Sequence, residues 1–526
     1  MALGIAPEGR LDLAGIGDAL AQPFVLQDAL FTLALAGSAT LITVVCGLPV
    51  AYVFARFEFR GRSLARALAT VPFVLPTVVV ASAFVALLGP RSPINQLLTS
   101  GFGLDRPPIQ LAGTVWAVLL ASVFYNLAVV LRLVGGLWSH LDPQTEEAAR
   151  VLGASGWRAF REVTWPLLRP AVASAASIVF LFNVTSFGLV LLLGSAGTTT
   201  LEVEIYRQTA ELLDLRTAAA LSILQMGGVL ALLLAYARAQ ERLSVVQRLR
   251  PASETARRPR TARERTLVFG VLGALGLFLG LPLAVLVERS FAGSGGYGLD
   301  AYTGLFTLSS RGGLFVPPVE AIQNSLVFGV VTLGLATSLG LLAAVAIASR
   351  RGWLSRAFDA LVMLPLGTSA VTVGFGFIVA LDEPPLDLRT SPLLIPIAHS
   401  LIAMPFVLRV LVPVIRSIDP RLREAAAVLG AAPSRVWREV DLPVIRRAVL
   451  VGGAFAFAVS LGEFGATVFV ARPDTPTIPV AVARLLGLPG GGPFGQAMAM
   501  STVLMLLTAL ALLGVERFRG SAPQPF

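Results

Sequence analysis

The sequence predicts an all-α integral membrane protein with about eleven transmembrane helices in two parallel repeats. Three observations lead to this fold class: the composition, the number of long apolar segments and a duplicated polar loop. Of the 526 residues, 55% are apolar and 14% are charged, whereas a soluble domain carries about 25% charged residues. The composition therefore indicates a chain that lies in a lipid bilayer.

Eleven apolar segments of the chain reach the roughly 20 residues that a helix needs to cross the hydrocarbon layer. Their residues do not alternate with the period of a barrel strand. Several contain proline or glycine, which membrane helices tolerate because neighbouring helices and water satisfy the freed backbone groups. The segments are 28–55, 64–89, 111–138, 170–194, 216–237, 266–288, 322–349, 357–381, 392–415, 448–471 and 494–515.

One polar stretch occurs twice. The first copy reads Glu-Ala-Ala-Arg-Val-Leu-Gly from Glu147, and the second reads Glu-Ala-Ala-Ala-Val-Leu-Gly from Glu424, 277 residues further on. An Ala-rich helical turn is common by chance, but identities continue on both sides at the same offset. They include Arg132 and Arg409, Asp142-Pro143 and Asp419-Pro420, Glu162 and Glu439, and Phe187-Gly188 and Phe464-Gly465. The chain therefore consists of two copies of one unit.

The arginines predict the orientation of these copies. If both face the cytoplasm, 29 of the 41 basic residues lie on that side and 10 on the other, as the positive-inside rule requires. Six spans separate the two copies. Because six is even, both copies face the same side and the repeat is parallel.

The chain divides into two repeats and a linker. We expect the first repeat over 1–237, with about five spans, and the second over 266–526, with six spans. The first repeated loop is 140–169 and the second repeated loop is 416–447. The linker, 238–265, is polar and basic, which favours a solvated cytoplasmic connector on anionic headgroups. A docking role for the linker is the alternative.

The residue inventory excludes several chemistries. All basic residues are arginine, so the chain cannot carry a Walker A phosphate loop, which needs a lysine, or a lysine Schiff base. One cysteine, Cys46, and two histidines, His140 and His399, provide no cluster of metal ligands. We predict no catalytic residue, no metal site and no cofactor. The net charge of +10 is assigned to membrane orientation rather than to nucleic acid.

Each repeated loop carries the signals of a short helix. An Asp-Pro pair suits the N-cap and first turn, and a glycine further on permits a left-handed helix end. A second short amphipathic stretch follows, and we expect a proline to end it before the next span. These positions are Asp142-Pro143, Gly153 and Pro166 in the first copy and Asp419-Pro420, Gly430 and Pro443 in the second.

The short helix is shaped to fit a groove on a partner. Its small residues let another surface approach the backbone, and its leading glutamate offers a carboxylate to a basic partner. The alternative is a loop that only packs beneath its own bundle, but packing alone would not keep small and polar residues at one offset. The candidate contacts are Glu147, Ala148, Ala149, Gly153, Pro166, Glu424, Ala425, Ala426, Gly430 and Pro443.

This pattern resembles the Glu-Ala-Ala loop of the permeases of bacterial ATP-binding-cassette importers. The resemblance covers most of the chain and extends from Glu-Ala-Ala through Gly to Pro in both copies. It implies a coupling helix in a cleft of a separate ATPase subunit, and hence two ATPase copies that bind the ATP. It also implies an extracytoplasmic substrate-binding protein and a multi-pass location in the bacterial inner membrane, with both loops in the cytoplasm.

Within this family the chain is most similar to thiamine importer permeases. The similarity lies at 198–206, at 216–226 and at 124–126 with Arg132. Ferric-iron permeases share the two-repeat layout and a stretch like Gly-Glu-Phe-Gly at 462–465. The substrate implied is thiamine or a related cation, with ferric iron as the alternative. Fused permeases of this kind usually have six spans per half, whereas the first half shows five here, so either the true start lies upstream or this member lacks the peripheral helix.

The carboxylate of Glu463 lies inside a span, where a charge costs about 2.5 kcal/mol or more. It is a candidate for the substrate pathway together with its neighbour Phe464 and with Ser186 and Phe187, which occupy the matching positions of the first repeat. A cationic substrate would suit this carboxylate.

The alternative for this carboxylate is a brace in which it pairs with Arg409 or Arg132, and His140 and His399 are expected to be incidental. A secondary transporter driven by ions is the competing functional class, but it would need several intramembrane ionisable groups. An intramembrane enzyme is unsupported, because the sequence has no HExxH motif and no paired intramembrane aspartates.

Overall fold

The computed structural model describes residues 13–195, 197–243, 250–251, 255–293, 296–308, 314–349, 352–381, 388 and 391–519. Parts of the predicted units lie outside these described residues. They include the start of the first repeat, 1–12, the end of the second repeat, 520–526, and the linker residues 244–249 and 252–254.

Nearly all described elements are helices. Those before the linker are Leu13–Leu20, Pro23–Arg56, Arg62–Thr70, Thr77–Leu88, Pro93–Phe102, Val115–His140, Pro143–Val151, Gly156–Ala159, Trp165–Val184, Gly188–Leu193, Leu201–Tyr206 and Leu215–Leu243. Those after it are Ala262–Phe291, Asp300–Thr303, Pro318–Ser349, Trp353–Gly367, Ala370–Ala380, Leu394–Arg416, Pro420–Val428, Pro433–Val436, Leu442–Gly462, Thr467–Val470, Ile478–Leu486 and Gly491–Arg519.

A few elements are not α-helical. Two-residue strands at Ala292–Gly293 and Gly296–Tyr297 pair antiparallel in one small hairpin. Single 3-10 turns lie at Val71–Val74 and Gly304–Phe306, and π-helical turns lie at Phe160–Thr164, Arg207–Glu211 and Trp437–Asp441.

The membrane-spanning character of the fold is clear from helix length and composition. Within the described residues, ten helices are long and apolar enough to cross a membrane, or up to eleven if the bent pair Trp353–Pro365 and Ala370–Ala380 forms one span. The prediction of an all-α protein with about eleven spans is confirmed.

The predicted span 64–89 is wrong in its first half. The helix Arg62–Thr70 ends just before Pro72, and the next helix begins at Thr77 after Pro76. Proline has no N–H to donate and disfavours a helical conformation in the residue before it, so these two prolines break the helix. The membrane-length unit that follows is Thr77–Phe102, with 26 residues.

The predicted spans 170–194 and 448–471 are also broken, at the same place in each repeat. In the first repeat one helix ends at Val184 and the next begins at Gly188. In the second repeat one helix ends at Gly462 and the next begins at Thr467. The irregular backbone at both breaks lies inside the protein, where membrane proteins tolerate it.

The two repeats share their packing as well as their sequence. A Cβ on Gly47 would lie 2.6 Å from Cγ1 of Val130, and a Cβ on Gly340 would lie 2.8 Å from Cγ1 of Val407. Small residues let membrane helices approach closely, and here a glycine admits a valine at the same place in both repeats. The pair Gly47 and Val130 is therefore structurally equivalent to the pair Gly340 and Val407.

The core has one cluster in each repeat and a larger cluster between them. The repeat clusters contain matching buried residues, namely Ala51, Val130 and Leu168 in the first and Ala344, Val407 and Ile445 in the second. The larger cluster combines Phe84 and Phe124 with Leu286 and Leu504 from beyond the linker. The two repeats therefore bury apolar side chains against each other.

Candidate docking loops and inter-repeat contact

Each repeated loop opens with a capped short helix, the first loop helix Pro143–Val151 or the second loop helix Pro420–Val428. The Asp142 carboxylate accepts a hydrogen bond from the Gln144 N–H at 3.0 Å. At the matching position, the Asp419 carboxylate accepts one from the Arg421 N–H at 3.0 Å. The predicted N-caps are confirmed.

Both loop helices end as the glycines predict. Gly153 has φ of +91° and Gly430 has φ of +81°, a left-handed conformation that glycine adopts at no steric cost. The N–H of Ala154 donates to the carbonyl of Ala149 at 3.0 Å, and the N–H of Ala431 donates to the carbonyl of Ala426 at 3.0 Å. These bonds satisfy carbonyls that the end of a helix would otherwise leave unpaired.

The prediction that Pro166 and Pro443 end the second short stretch is wrong. A π-helical turn at Phe160–Thr164 joins that stretch to the next span, and an equivalent turn lies at Trp437–Asp441. In each turn an N–H bonds five residues back, from Trp165 to Phe160 in the first repeat. The wider turn accommodates a proline, whose missing N–H and bulky ring would disturb a regular α-helix.

The surface of each loop helix combines the predicted residues with an apolar pair that sequence reasoning missed. Glu147 and Glu424 are exposed, and neither makes an ion pair within the described residues. Val151 and Leu152 are each 87% exposed, and the matching Val428 and Leu429 are 88% and 87% exposed. The signal was available, because Val-Leu precedes the glycine in both copies.

A side-chain hydrogen bond joins each loop helix to the helical unit that follows it. The bond lies at equivalent positions in the two repeats but between different residue types. In the first repeated loop, Thr164 Oγ1 donates to Glu146 Oε2 at 3.0 Å, and Arg150 pairs with the other oxygen of Glu146 at 2.6 Å. In the second, Arg423 Nε donates to Asp441 Oδ1 at 2.7 Å. We call these two contacts the loop ties.

The described part of the linker contacts the first repeated loop. Arg250 pairs with the N-cap residue Asp142 at 2.9 Å, and its Nη2 donates to Gln144 at 3.1 Å. The carbonyl of Arg250 lies 2.7 Å from Nδ1 of His140. His140 was expected to be incidental, and it instead holds the linker against the first repeated loop.

The linker makes a second contact at Arg257. Its N–H donates to the carbonyl of Arg56 at 3.0 Å, and its carbonyl accepts from Glu58 at 3.0 Å. Its guanidinium lies 5.6 Å from the ring centre of the buried Phe57. At both Arg250 and Arg257 the linker is therefore held against the end of the first repeat that carries the first repeated loop.

The pathway candidates meet where the two repeats touch. Phe187 and Phe464 stack with ring centres 5.5 Å apart and planes 21° apart. They occupy the same position in each repeat, so the contact lies on the pseudo-symmetry axis between the repeats. Ser186 is partly buried beside Phe187, and its N–H donates to the Asn183 carbonyl at 3.2 Å.

Glu463 caps the short helix beyond the break. Its carboxylate accepts hydrogen bonds from the N–H groups of Ala466 at 2.8 Å and Thr467 at 2.9 Å. Its other close neighbour is His399, with Nε2 at 3.4 Å, rather than Arg409 or Arg132, which are both exposed. A carboxylate held this way is partly compensated by backbone donors and the positive end of a helix.

The expectation that His399 is incidental is wrong. It is buried, and its two ring nitrogens lie 2.7 Å from Ser460 Oγ and 2.7 Å from Thr467 Oγ1. Each of these partners belongs to the broken span, one on each side of the break. His399 therefore fixes the geometry of the break that carries Glu463.

Comparison with known proteins identifies relatives along most of the chain. The family model described as binding-protein-dependent transport system inner membrane component matches residues 44–243 and 336–517. Each of the two matched segments contains one repeated loop. The duplication is therefore a duplication of this family unit.

Three similar proteins are transport permeases. The thiamine transport system permease protein of Brucella abortus (strain 2308) is 28% identical over 477 residues, covering 88% of this chain and 83% of that protein. The corresponding thiamine permease of Escherichia coli (strain K12) is 26% identical over 485 residues, covering 91% and 86%. The ferric transport system permease protein of Actinobacillus pleuropneumoniae is 24% identical over 516 residues, covering 96% and 73%.

Among solved structures, a bacterial ABC transporter involved in the import of the acidic polysaccharide alginate is similar to part of the chain. It is 19% identical with a TM-score of 0.40, and the match covers 46% of this chain and 88% of that one.

Proposed function

The chain belongs to the family of binding-protein-dependent transport system inner membrane components, and we propose that its two repeated loops dock two copies of a separate ATPase. The protein is the permease subunit of an ATP-binding-cassette importer and a multi-pass protein of the inner membrane. One observation carries the docking proposal: two loop helices of equal geometry each present an exposed Val-Leu pair beside an exposed glutamate.

The docking surface has the features of a small interface. Val151 and Leu152 expose apolar side chains at the end of the first loop helix, and exposed apolar groups beside polar ones mark sites of protein association. Ala148 is also exposed and, because it is small, lets a partner reach the helix backbone. Ala149, Pro166, Ala426 and Pro443 are only partly exposed or lie in the adjoining span, and we assign them to the shape of the loop.

ATP hydrolysis is assigned to the partner chain. The sequence has no lysine, and a Walker A loop needs one to reach the β- and γ-phosphates. The energy for transport must then enter through a contact surface, which the two loop helices provide. We accordingly assign no catalytic residue, metal site or cofactor site to this chain.

The loops are connected to the inter-repeat contact by rigid elements. Behind the first repeated loop, the helical unit Gly156–Val184 has 29 residues, or about 43 Å at 1.5 Å per residue. It ends at the break beside Phe187, and the loop tie fixes its other end to the first loop helix. A displacement of a loop by the ATPase would therefore move one ring of the Phe187–Phe464 stack.

We assign both loops to the cytoplasm and the opposite face to an extracytoplasmic substrate-binding protein. The asymmetry of 29 against 10 arginines supports this orientation. The family description, which names binding-protein-dependent transport, supports the second partner.

The substrate that the comparisons favour is thiamine or a related cation. Thiamine permeases of two organisms match most of the chain, while the ferric permease match is slightly less identical but covers 96% of the chain. Ferric iron is therefore the second candidate substrate. We place Glu463, Phe464, Ser186 and Phe187 along the substrate pathway, where the stacked rings close the contact between the repeats.

Reconstitution tests this proposal directly. The full chain is placed in proteoliposomes with its partner ATPase and substrate-binding protein, and uptake of labelled thiamine and of ferric iron is measured with and without ATP. We expect ATP-dependent thiamine uptake and copurification of the ATPase. Uptake driven by a proton or sodium gradient without ATP would instead identify an ion-coupled secondary transporter.

A further inference from the structure

A cavity of about 450 Å³ lies beside the first helices of the first repeat, far from the repeated loops. Its lining includes Phe24, Asp28, Phe31, Glu204, Arg207 and Gln208. The helix that carries Asp28 runs on to Arg56, about 42 Å further along its axis, and Arg56 contacts the Leu141 carbonyl beside the first repeated loop. The cavity is therefore at the opposite end of the bundle from the loops.

The two carboxylates of the cavity have different surroundings. Glu204 Oε1 accepts from Gln208 Nε2 at 2.6 Å, and its Oε2 lies 3.6 Å from Arg207 Nη1. Asp28 is 8% exposed, and within the described residues its carboxylate has no hydrogen-bond or ion-pair partner. A buried charge without a partner costs several kcal/mol unless a ligand or neighbour compensates it.

The second repeat shows that the fold does not need these carboxylates. The Leu201 N–H donates to Thr32 Oγ1 at 3.0 Å, and the Ile478 N–H donates to Ser325 Oγ at 2.8 Å. These equivalent bonds fix the alignment of the two repeats at this place.

In that alignment two alanines replace the two acids. Asp28 lies four residues before Thr32, and Ala321 lies four residues before Ser325. In the same way, Ala481 stands where the first repeat has Glu204. Both alanines are completely buried, so the shared architecture tolerates uncharged residues at both positions.

We propose that this cavity of the first repeat binds a small organic cation. Arg207 offsets one of the two lining carboxylates, so one negative charge remains for a ligand. Phe24 and Phe31 line the same cavity, and aromatic rings attract cations as well as apolar groups. The volume falls in the range of small-molecule sites, about 300–1,000 Å³, and is far larger than a bare metal ion requires.

This site deepens the proposed function, and it rests on that function for its position on the extracytoplasmic side. There it would receive a cationic substrate from the binding protein, before the substrate reaches the contact between the repeats. This accounts for the presence of the two carboxylates in the first repeat and of alanines in the second, because a single substrate needs only one such site.

Equilibrium binding to the full chain in complex with its ATPase, in lipid nanodiscs, tests the site. The probes are thiamine and benzyltrimethylammonium as cations and benzyl alcohol as a neutral control. In Asp28→Asn and in the double variant Asp28→Ala with Glu204→Ala, we expect affinity for both cations to fall about tenfold to a hundredfold. The affinity for benzyl alcohol should stay unchanged.

Glu320→Gln is the matched control, because it removes a carboxylate from the first turn of the equivalent helix Pro318–Ser349 outside the cavity. Unchanged cation affinity in both Asp28 variants would overturn the site and leave the thiamine import proposal intact. Binding of benzyltrimethylammonium that depends on Asp28, without any thiamine binding, would support the site and overturn thiamine as the substrate. Failure of both cations to bind the unmodified protein would overturn the site.

Discussion

In the first repeated loop the loop helix is held by a carboxylate that accepts from a hydroxyl, Glu146 with Thr164. In the second repeated loop the matching contact is an arginine with a carboxylate, Arg423 with Asp441. The caps, the left-handed glycines and the π-helical turns are the same in both loops. The comparison teaches that the position of the tie is kept while its chemistry has changed.

The two loops also differ in what surrounds them. The N-cap residue Asp142 of the first loop helix is paired with Arg250 of the linker. Within the described part of the chain, Asp419 has no such partner and caps its own helix alone. The two loops are therefore expected to differ in rigidity.

Changes on the docking surface should have the largest effect. Gly430→Asp forces a side chain into a left-handed conformation, which costs about 1–2 kcal/mol, and adds a negative charge near the negative end of the helix dipole. Glu147→Lys reverses the charge of the first loop helix. We expect both to lower ATP-driven uptake about tenfold or more, as interface hot spots do, while the bundle stays folded.

The measurement is uptake and ATPase copurification in proteoliposomes. Gly101→Asp is the matched control, since Gly101 is an exposed helical glycine with open space around it, away from the loops. Wild-type uptake and wild-type ATPase binding in both loop variants would contradict the docking role. A much larger loss from Glu147→Lys than from Glu424→Lys would show that the linker-bound loop carries most of the coupling.

Glu463 and Ser186 provide the next comparison, because they occupy matching positions with unlike chemistry. Glu463→Gln removes the charge, and we expect uptake of cationic thiamine to fall about tenfold, with a smaller effect on an anionic cargo such as thiamine diphosphate. Ser186→Ala should change uptake less. Equal uptake of both cargoes by Glu463→Gln and the unmodified protein would remove Glu463 from the pathway and leave it as a partner of His399.

The loop ties should differ in strength. Hydrogen bonds to charged groups contribute about 1.5–3 kcal/mol when buried, but the Arg423 side chain is 38% exposed, which lowers the expected loss in Asp441→Asn to about 1 kcal/mol. Thr164→Val removes a bond whose acceptor, Glu146, keeps its contact with Arg150, so we expect about half of that loss. Amide exchange in each loop helix measures both losses of stability. A larger loss of stability in Thr164→Val than in Asp441→Asn would contradict the expected order.

The linker contact should have the smallest effect, and in one loop only. Arg250→Ala removes a partly exposed ion pair, worth about 0.2–1 kcal/mol, so amide exchange in the first loop helix should accelerate by about 1.4-fold to fivefold. Exchange in the second loop helix should not change. Arg435→Ala, which breaks a comparable exposed ion pair with Glu439 in the second loop, is the control, and equal effects of Arg250→Ala on both loops would contradict the asymmetry.

The sequence by itself determined the features that depend on neighbouring residues or on composition. The N-cap residues Asp142 and Asp419 and the helix-ending glycines Gly153 and Gly430 follow from the conformational preferences of single residues. The number of spans follows from the length of apolar runs, although the runs 64–89, 170–194 and 448–471 are broken in the structure, and the repeat follows from identities at one offset. Each of these signals lies in the order of the residues itself, so it can be read without knowing which helices touch.

Only the tertiary structure decided the features that depend on residues far apart in the chain. The pairing of Arg250 with Asp142, the stacking of Phe187 on Phe464 and the place of His399 beside Glu463 each join separate helices or segments. The π-helical turns before Pro166 and Pro443 could not be predicted from the sequence either, because a proline by itself indicates the end of a helix. The physical reason is that such contacts are set by how helices pack, and residue type alone does not specify the partner.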